Sequence, residues 1–243
     1  MKAIIITGGS KGLGKSLVTL YNTEGYKVYS LARTINSELK DVNQISVDLS
    51  YVSDSQLVLN KVMDEILNQN PSSITLINNA GTLGKMDTLQ EIPSENIETT
   101  VSLNYTTPMI FCSIFSKKLE NYKGVKKIRN ISSGAANGFY HGWSVYCSTK
   151  SAMDSFTKVL AIEQENNLSP IHVLSIYPGV IDTEMQAEIR KSTPEEFSNV
   201  KRFIEMKKNN ELSTPEQIAH LVYKIDHDIS IKNGKITDVR DFY

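Results

Sequence analysis

The segment Thr7-Gly8-Gly9-Ser10-Lys11-Gly12-Leu13-Gly14 joins two unlike stretches of chain. Before it lies a short apolar run, Ala3 to Thr7. After it Leu13, Leu17, Val18, Leu20 and Tyr21 recur with helical spacing until Gly25. Glycines at such a junction permit backbone angles that other residues avoid and let an anion approach the main chain. The helix that follows turns unpaired N–H groups toward the turn. The junction predicts a buried strand, a tight phosphate-binding turn and a helix start, with Gly8, Ser10, Lys11, Gly12, Leu13 and Gly14 as nucleotide contacts. The glycine spacing differs from the usual G-x-G-x-x-G, because Gly8 is followed after three residues by Gly12 and then by Gly14.

The rest of the chain repeats that alternation. Strands are expected at Lys27–Ala32, Gln44–Val47, Ser73–Ile77, Val125–Ile131, Ile171–Tyr177 and Lys235–Val239. Helical spacing covers Leu57 to Leu67, about Glu95 to Tyr122 and Ser144 to Asn166. Thr214-Pro215-Glu216-Gln217 reads as a capped helix start, running to about Asp226. Strands alternating with helices predict an α/β chain, a three-layer doubly wound Rossmann fold with a mostly parallel seven-stranded sheet. No linker or repeat divides it, so residues 1–243 are expected to form one domain. Its least anchored part, about 182–212, is mostly polar and reads as amphipathic helices forming a lid.

Composition narrows the partners. Lys and Arg number 26 against 27 Asp and Glu, for a net charge of −1, so nothing favours tracking a nucleic-acid backbone. No apolar run approaches a membrane span or a signal peptide. The two cysteines, Cys112 and Cys147, lack metal or redox spacing and suit reduced thiols in the cytoplasm. His141, His172, His220 and His227 form no cluster, and no metal is assigned.

The cofactor's identity rests on the end of the second strand. An NAD site usually places a carboxylate there for the ribose diol. This chain has Ala32-Arg33-Thr34 instead. Arg33, with Lys11, suits a ribose phosphate, which predicts NADP(H). Thr34 lies beside them. Past the third strand, Asp48 and Leu49 are placed at the adenine, although Asp48 could equally cap a helix. Asn78, Ala80 and Gly81, past the fourth strand, would line the cofactor's path.

The reacting groups follow the fifth strand. Ser133 comes first, Tyr146 lies 13 residues later, and Lys150 one helical turn after that. A Tyr and a Lys at i, i+4 share a helix face. The cation is expected to lower the phenol's pKa, and the Ser133 hydroxyl to orient a carbonyl oxygen. Together they describe a proton donor to a ketone that accepts hydride. Phe139, Tyr140, Trp143 and Met185 flank these groups and are candidate walls for a flat apolar substrate.

These marks, in this order from residue 7 to 183, resemble the short-chain dehydrogenase/reductase family. Thr7 to Gly14 is similar to its glycine motif, Asn78-Asn79-Ala80-Gly81 to its motif after the fourth strand, and Ser133, Tyr146 and Lys150 to its catalytic Ser, Tyr and Lys. Asn104 matches its catalytic asparagine, and Pro178-Gly179 with Val180 and Thr183 resembles its nicotinamide-side motif. The resemblance implies that Lys150 also binds the nicotinamide ribose and that Asn104 holds a water linking Lys150 to solvent. It further implies a homodimer formed through the helices at 95–122 and 144–166. Gly142 to Cys147 and Pro178 to Gln186 are similar to a branch that reduces one carbonyl of benzil to (S)-benzoin with NADPH and is related to sepiapterin reductases. A small-molecule carbonyl such as an α-diketone is the substrate this implies. Rival readings are reduction of sepiapterin or of a 3-oxoacyl carrier protein, or a sensor of NADP without turnover. The glycine-rich ending common in the family is absent, since the chain closes Lys235-Ile236-Thr237-Asp238-Val239-Arg240-Asp241-Phe242-Tyr243.

Overall fold

The apolar runs become strands buried on both faces, as parallel strands must be. The structure, a computed structural model, describes residues 1–243. In chain order the elements are β1 (Lys2–Thr7), α1 (Gly12–Thr23), β2 (Tyr26–Ala32), β3 (Asn43–Ser46), α2 (Val52–Leu67) and β4 (Ser73–Asn78). Then come α3 (Ser94–Val101), α4 (Thr107–Lys118), β5 (Val125–Ile131), α5 (Ser144–Gln164) and β6 (His172–Tyr177). The chain finishes with α6 (Glu184–Ile189), α7 (Val200–Lys208), α8 (Pro215–His227) and β7 (Ile236–Asp238). One sheet holds all seven strands in the order β3-β2-β1-β4-β5-β6-β7. Every pairing is parallel.

Alternation along each strand divides the core in two. Ala3 and Ile5 of β1 join Leu59, Val62 and Met63 of α2 and Phe111 and Phe115 of α4 on one face. Ile4 and Ile6 join Leu17, Val18 and Tyr21 of α1 and Ile218, Val222 and Ile225 of α8 on the other. Strand order reverses between β1 and β4, and a ligand crevice opens at such a reversal, beyond the carboxyl ends of the strands.

Most expected elements differ from the observed ones by a residue or two. Thr214 caps α8 as a full capping box, its hydroxyl accepting from the Gln217 N–H while the Gln217 side chain accepts from the Thr214 N–H. The long helix expected over 95–122 is the exception. It breaks into α3, a π-helical turn over Ser102–Thr106, and α4 with Pro108 in its first turn. The π turn adds a residue and rotates everything after it, so no single period describes the region.

At the opposite end of the sheet from the crevice, a charged cluster is sealed in the core. Asp226 of α8 accepts from Arg129 Nε at 2.8 Å and from the Tyr21 hydroxyl at 3.0 Å, and Lys127 Nζ lies 3.4 Å from its carboxylate. The side chains of Arg129 and Asp226 are 1% and 0% exposed. This cluster ties β5 to α1 and α8. No helix is long and apolar enough to cross a membrane.

Candidate active site

Two glycines of the turn after β1 leave no room for a side chain. A Cβ on Gly14 would stand 2.1 Å from the Gly8 carbonyl oxygen, and one on Gly9 would stand 2.2 Å from Ser30 Oγ. Gly8 and Gly12 have φ of +70° and +52°, the left-handed region that favours glycine. Thr7 fixes the turn from the side. Its hydroxyl accepts from the N–H groups of Asn79 and Ala80, both at 2.9 Å, and Asn79 Nδ2 donates to the Thr7 carbonyl at 2.8 Å. No side chain caps the start of α1, so its first N–H groups remain available to an anion. Leu13 turns into the core.

Beyond the turn, hydrogen bonds join Ser10, Thr34 and Asn36. Thr34 Oγ1 donates to Ser10 Oγ at 3.1 Å, and Asn36 Nδ2 donates to the Ser10 carbonyl at 2.8 Å. Asn36 is itself held by Gln44, which bonds both its N–H and its carbonyl at 2.8 Å. Nothing in the sequence pattern singles out Asn36; only this bonding does. The Arg33 side chain is 76% exposed, with Nη1 3.9 Å from Asp48. Lys11 turns instead to Glu184, the first residue of α6. Asp48 closes its own turn by accepting from the N–H and hydroxyl of Ser50 at 2.9 and 2.7 Å. Burial alone would raise its carboxyl; the Ser50 bonds and then Arg33 bring it below its ordinary value. Asp48 closes this turn but does not cap α2, whose start at Tyr51 takes no side-chain hydrogen bond. Leu49 is buried, with its carbonyl accepting from Thr107 Oγ1 at 2.8 Å.

Asn78 departs from the expected cofactor path. Its side chain enters the core, donating to Asn130 Oδ1 at 2.8 Å and approaching Cys112 Sγ at 3.4 Å. Ala80 and Gly81 stay at the sheet edge. A Cβ on Gly81 would lie 3.3 Å from Asn104 Oδ1 and 3.7 Å from Lys150 Nζ, so this glycine keeps space open beside both. Across the crevice, Gly179 has φ +71° and Thr183 begins α6. The Thr183 methyl stands 3.4 Å from where a Gly12 Cβ would be, which brings the 178–183 segment against the glycine turn.

Ser133, Tyr146 and Lys150 converge beyond the end of β5. Ser133 Oγ accepts from the Ala135 N–H at 3.1 Å, which starts a short 3-10 turn. Tyr146 and Lys150 lie in the first two turns of α5, with Lys150 Nζ 5.7 Å from the Tyr146 ring centre. Lys150 donates to the Ile131 carbonyl at 2.9 Å. Asn104, on the π turn, accepts from the Thr82 N–H and donates to the Thr82 carbonyl, both at 2.8 Å, and reaches Thr149 Oγ1 at 3.3 Å. Its place in the π turn lets it reach back to the loop after β4.

The electrostatics differ from the sequence expectation. Burial raises the Tyr146 phenol above its ordinary 10, and the Ser133 side chain only partly opposes this. Burial pulls the Lys150 ammonium down to about 8, with Asp154 opposing. Helical spacing supplies the neighbouring cation but not the loss of water around the phenol, and that loss dominates here. Tyr146 is therefore the neutral phenol at neutral pH, the form that can release a proton.

Trp143, immediately before α5, is 6% exposed and lies edge-on to Tyr146 at 5.5 Å. Phe197 stacks on it at 4.4 Å with planes 10° apart, and Phe203 and Tyr140 complete the cluster at 5.6 and 5.2 Å. Met185, Val180 and Met86 pack against the same group. The structure thus brings Tyr140, Trp143 and Met185 to Tyr146 but leaves Phe139 fully exposed. Phe197 and Phe203 were not singled out by the sequence reading. Their signal was two aromatics within a polar, amphipathic segment.

Residues 2–194 match the family model described as short chain dehydrogenase. The chain is 35% identical over 243 residues, covering all of both chains, to a benzil reductase ((S)-benzoin forming) of Bacillus subtilis (strain 168). It is 36% identical over 244 residues to the enzyme of the same description from Bacillus cereus, covering 97% of this chain and 98% of that one. Among solved structures, a short chain dehydrogenase/reductase from Saccharomyces cerevisiae superposes with a TM-score of 0.85 at 24% identity, covering 99% and 97% of the two chains.

Proposed function

The chain belongs to the short-chain dehydrogenases, and from that premise we propose that it is an NADPH-dependent reductase of one carbonyl of an α-diketone of the benzil type. The observation that carries this reading is the edge-on packing of Trp143 against Tyr146. A neutral phenol sits beside a serine hydroxyl and a buried lysine, under a wall of aromatic rings suited to an aryl ketone. The likeness to two benzil reductases along nearly the whole chain points the same way.

The residues present fit a dinucleotide. The glycine turn and the uncapped start of α1 suit its pyrophosphate, and Gly81 adds no side chain to crowd Asn104 and Lys150. When bound, the nicotinamide supplies the hydride. Ser133 holds the carbonyl oxygen by hydrogen bonding. Tyr146 gives its proton to that oxygen as negative charge develops there. Lys150 stabilises the phenolate left behind and, by family likeness, holds the nicotinamide ribose. Asn104 positions a water that returns a proton through Lys150. Segment 182–212 is a lid that excludes bulk water, and residues 1–243 act as one domain. By family likeness α4 and α5 pair across a homodimer axis, and a monomer mass in solution would refute that.

The assay is NADPH consumption with benzil, followed by chiral separation of the benzoin. Turnover of an acetoacetyl thioester or of sepiapterin, with none of benzil, would overturn the substrate assignment. Arg33 bears the cofactor choice. Arg33→Ala should raise the KM for NADPH by about tenfold or more, the worth of a lost charged hydrogen bond. The KM for NADH should stay near its wild-type value, and an equal rise for both cofactors would remove the phosphate role.

A further inference from the structure

The geometry points to Asp154 as a positioning residue for the reaction: its buried carboxylate, one turn along α5 from Lys150, is held out of contact by β6 and supplies the negative charge that keeps Lys150 an ammonium. The inference rests on the reading of Lys150 as a working cation.

Lys150 needs such a charge. Its Nζ is buried, and its one hydrogen bond within the protein goes to a neutral carbonyl, that of Ile131. An ammonium so placed loses water on all sides and is driven toward the neutral amine. The groups facing it from the surrounding elements are few. From α5 there are Tyr146 and Asp154; from the π turn there is Asn104, which is neutral and already bonded to Thr82. Asp154, buried one helical turn from Lys150 on the same face of α5, is the acid placed to oppose that loss of water.

What keeps Asp154 from collapsing onto the lysine is β6. Ser175 Oγ donates to Oδ1 at 2.6 Å, and the Tyr177 hydroxyl donates to Oδ2. Both donors are neutral. The Tyr177 phenol is driven far above its ordinary value by burial, then by Asp154, with Asp238 of β7 adding to the effect, so it remains a donor. Two neutral donors hold the carboxylate on β6 without placing a positive charge beside it. Lys158, the next basic group along α5, is exposed. Tyr177 also accepts from Asn137 Nδ2 at 3.0 Å, in the short turn that Ser133 begins. The carboxylate thus connects the helix of Tyr146 and Lys150, the strand leading to Pro178, and the turn of Ser133.

A merely structural tie would predict loss of stability on removal and nothing more. A field on Lys150 predicts a change in its titration. The test uses the full-length protein labelled at lysine side chains, with the Lys150 signal assigned by its loss in Lys150→Arg, and follows its titration by NMR. Wild type should titrate near pH 8, where burial lowers the ammonium and Asp154 opposes it. Asp154→Asn, which keeps the shape and removes the charge, should lower that midpoint by about one unit, a tenfold change in the ionisation equilibrium. Tyr177→Phe and Ser175→Ala weaken the tie but keep the charge, so the carboxylate can close on Lys150 and the midpoint should rise. The alkaline limb of kcat/KM should move with the midpoint in each variant. An unmoved midpoint in Asp154→Asn overturns the inference. If that variant does not fold, a rise in either of the other two supports the inference, and a midpoint that stays or falls in both overturns it. A shifted midpoint in a protein that reduces no carbonyl would uphold Asp154 while rejecting the proposed function.

Discussion

Tyr146→Phe should abolish reduction while leaving the protein folded and able to bind NADPH. The change removes one hydroxyl and keeps the ring against Trp143. Loss of a positioned general acid lowers turnover by about 10²–10⁴-fold, and the upper part of that range applies here because no other acid lies beside Ser133. His141 is the nearest histidine in sequence, and it is exposed on the loop before α5. The check is a progress curve with benzil beside a fluorescence titration of NADPH. Turnover within tenfold of wild type would remove Tyr146 as the donor. Weakened NADPH binding with normal turnover at saturation would assign the hydroxyl to the cofactor instead.

The second large effect lies far from the crevice. Asp226→Asn should destabilise the protein by about 3–5 kcal/mol, because it strands the Arg129 guanidinium, 1% exposed, without its counter-charge. Urea unfolding measures this, and a loss below about 1 kcal/mol, the range of an exposed pair, would show that water reaches the cluster. The pH dependence follows from the carboxyl's position. Burial alone would raise its pKa, but Arg129, then Lys127 and His227, more than offset burial, and the group titrates below its ordinary 3.8. A carboxyl depressed in the folded chain contributes stability that is complete above the unfolded value of about 3.9 and is lost as the pH falls through the folded value. Wild type should therefore lose this contribution below about pH 4, and Asp226→Asn should flatten that part of the curve.

Local patterns carried the fold far. The glycine junction, the alternating elements and the Thr214 cap each depend on residues close together in sequence, and each appears near its expected place. What was not legible depends on contacts between distant segments. The π turn exists where Asn104 reaches Thr82, a loop 22 residues earlier. Asn78 turns inward to Asn130, on a neighbouring strand. The direction of the Tyr146 shift follows from burial beneath α6 and α7, which the Tyr-Lys spacing cannot express. Asp154 stands in plain sight in the sequence, but its two partners come from β6.

Segment 182–212 is closed at its base by one pair of residues. Ile181 and Ser213 pair as a single parallel bridge, with the Asp182 N–H donating to the Ser213 carbonyl at 2.9 Å and the Ser213 N–H to the Val180 carbonyl at 3.3 Å. The excursion therefore leaves and rejoins the scaffold at one point, and no strand of the sheet lies within it. Chain inserted between ends already held together adds little closure entropy, since that cost grows only slowly with length. The segment can change length at its exposed parts at little cost, but any exchange must also supply what Phe197 and Phe203 give, the cover over Trp143 at the start of α5.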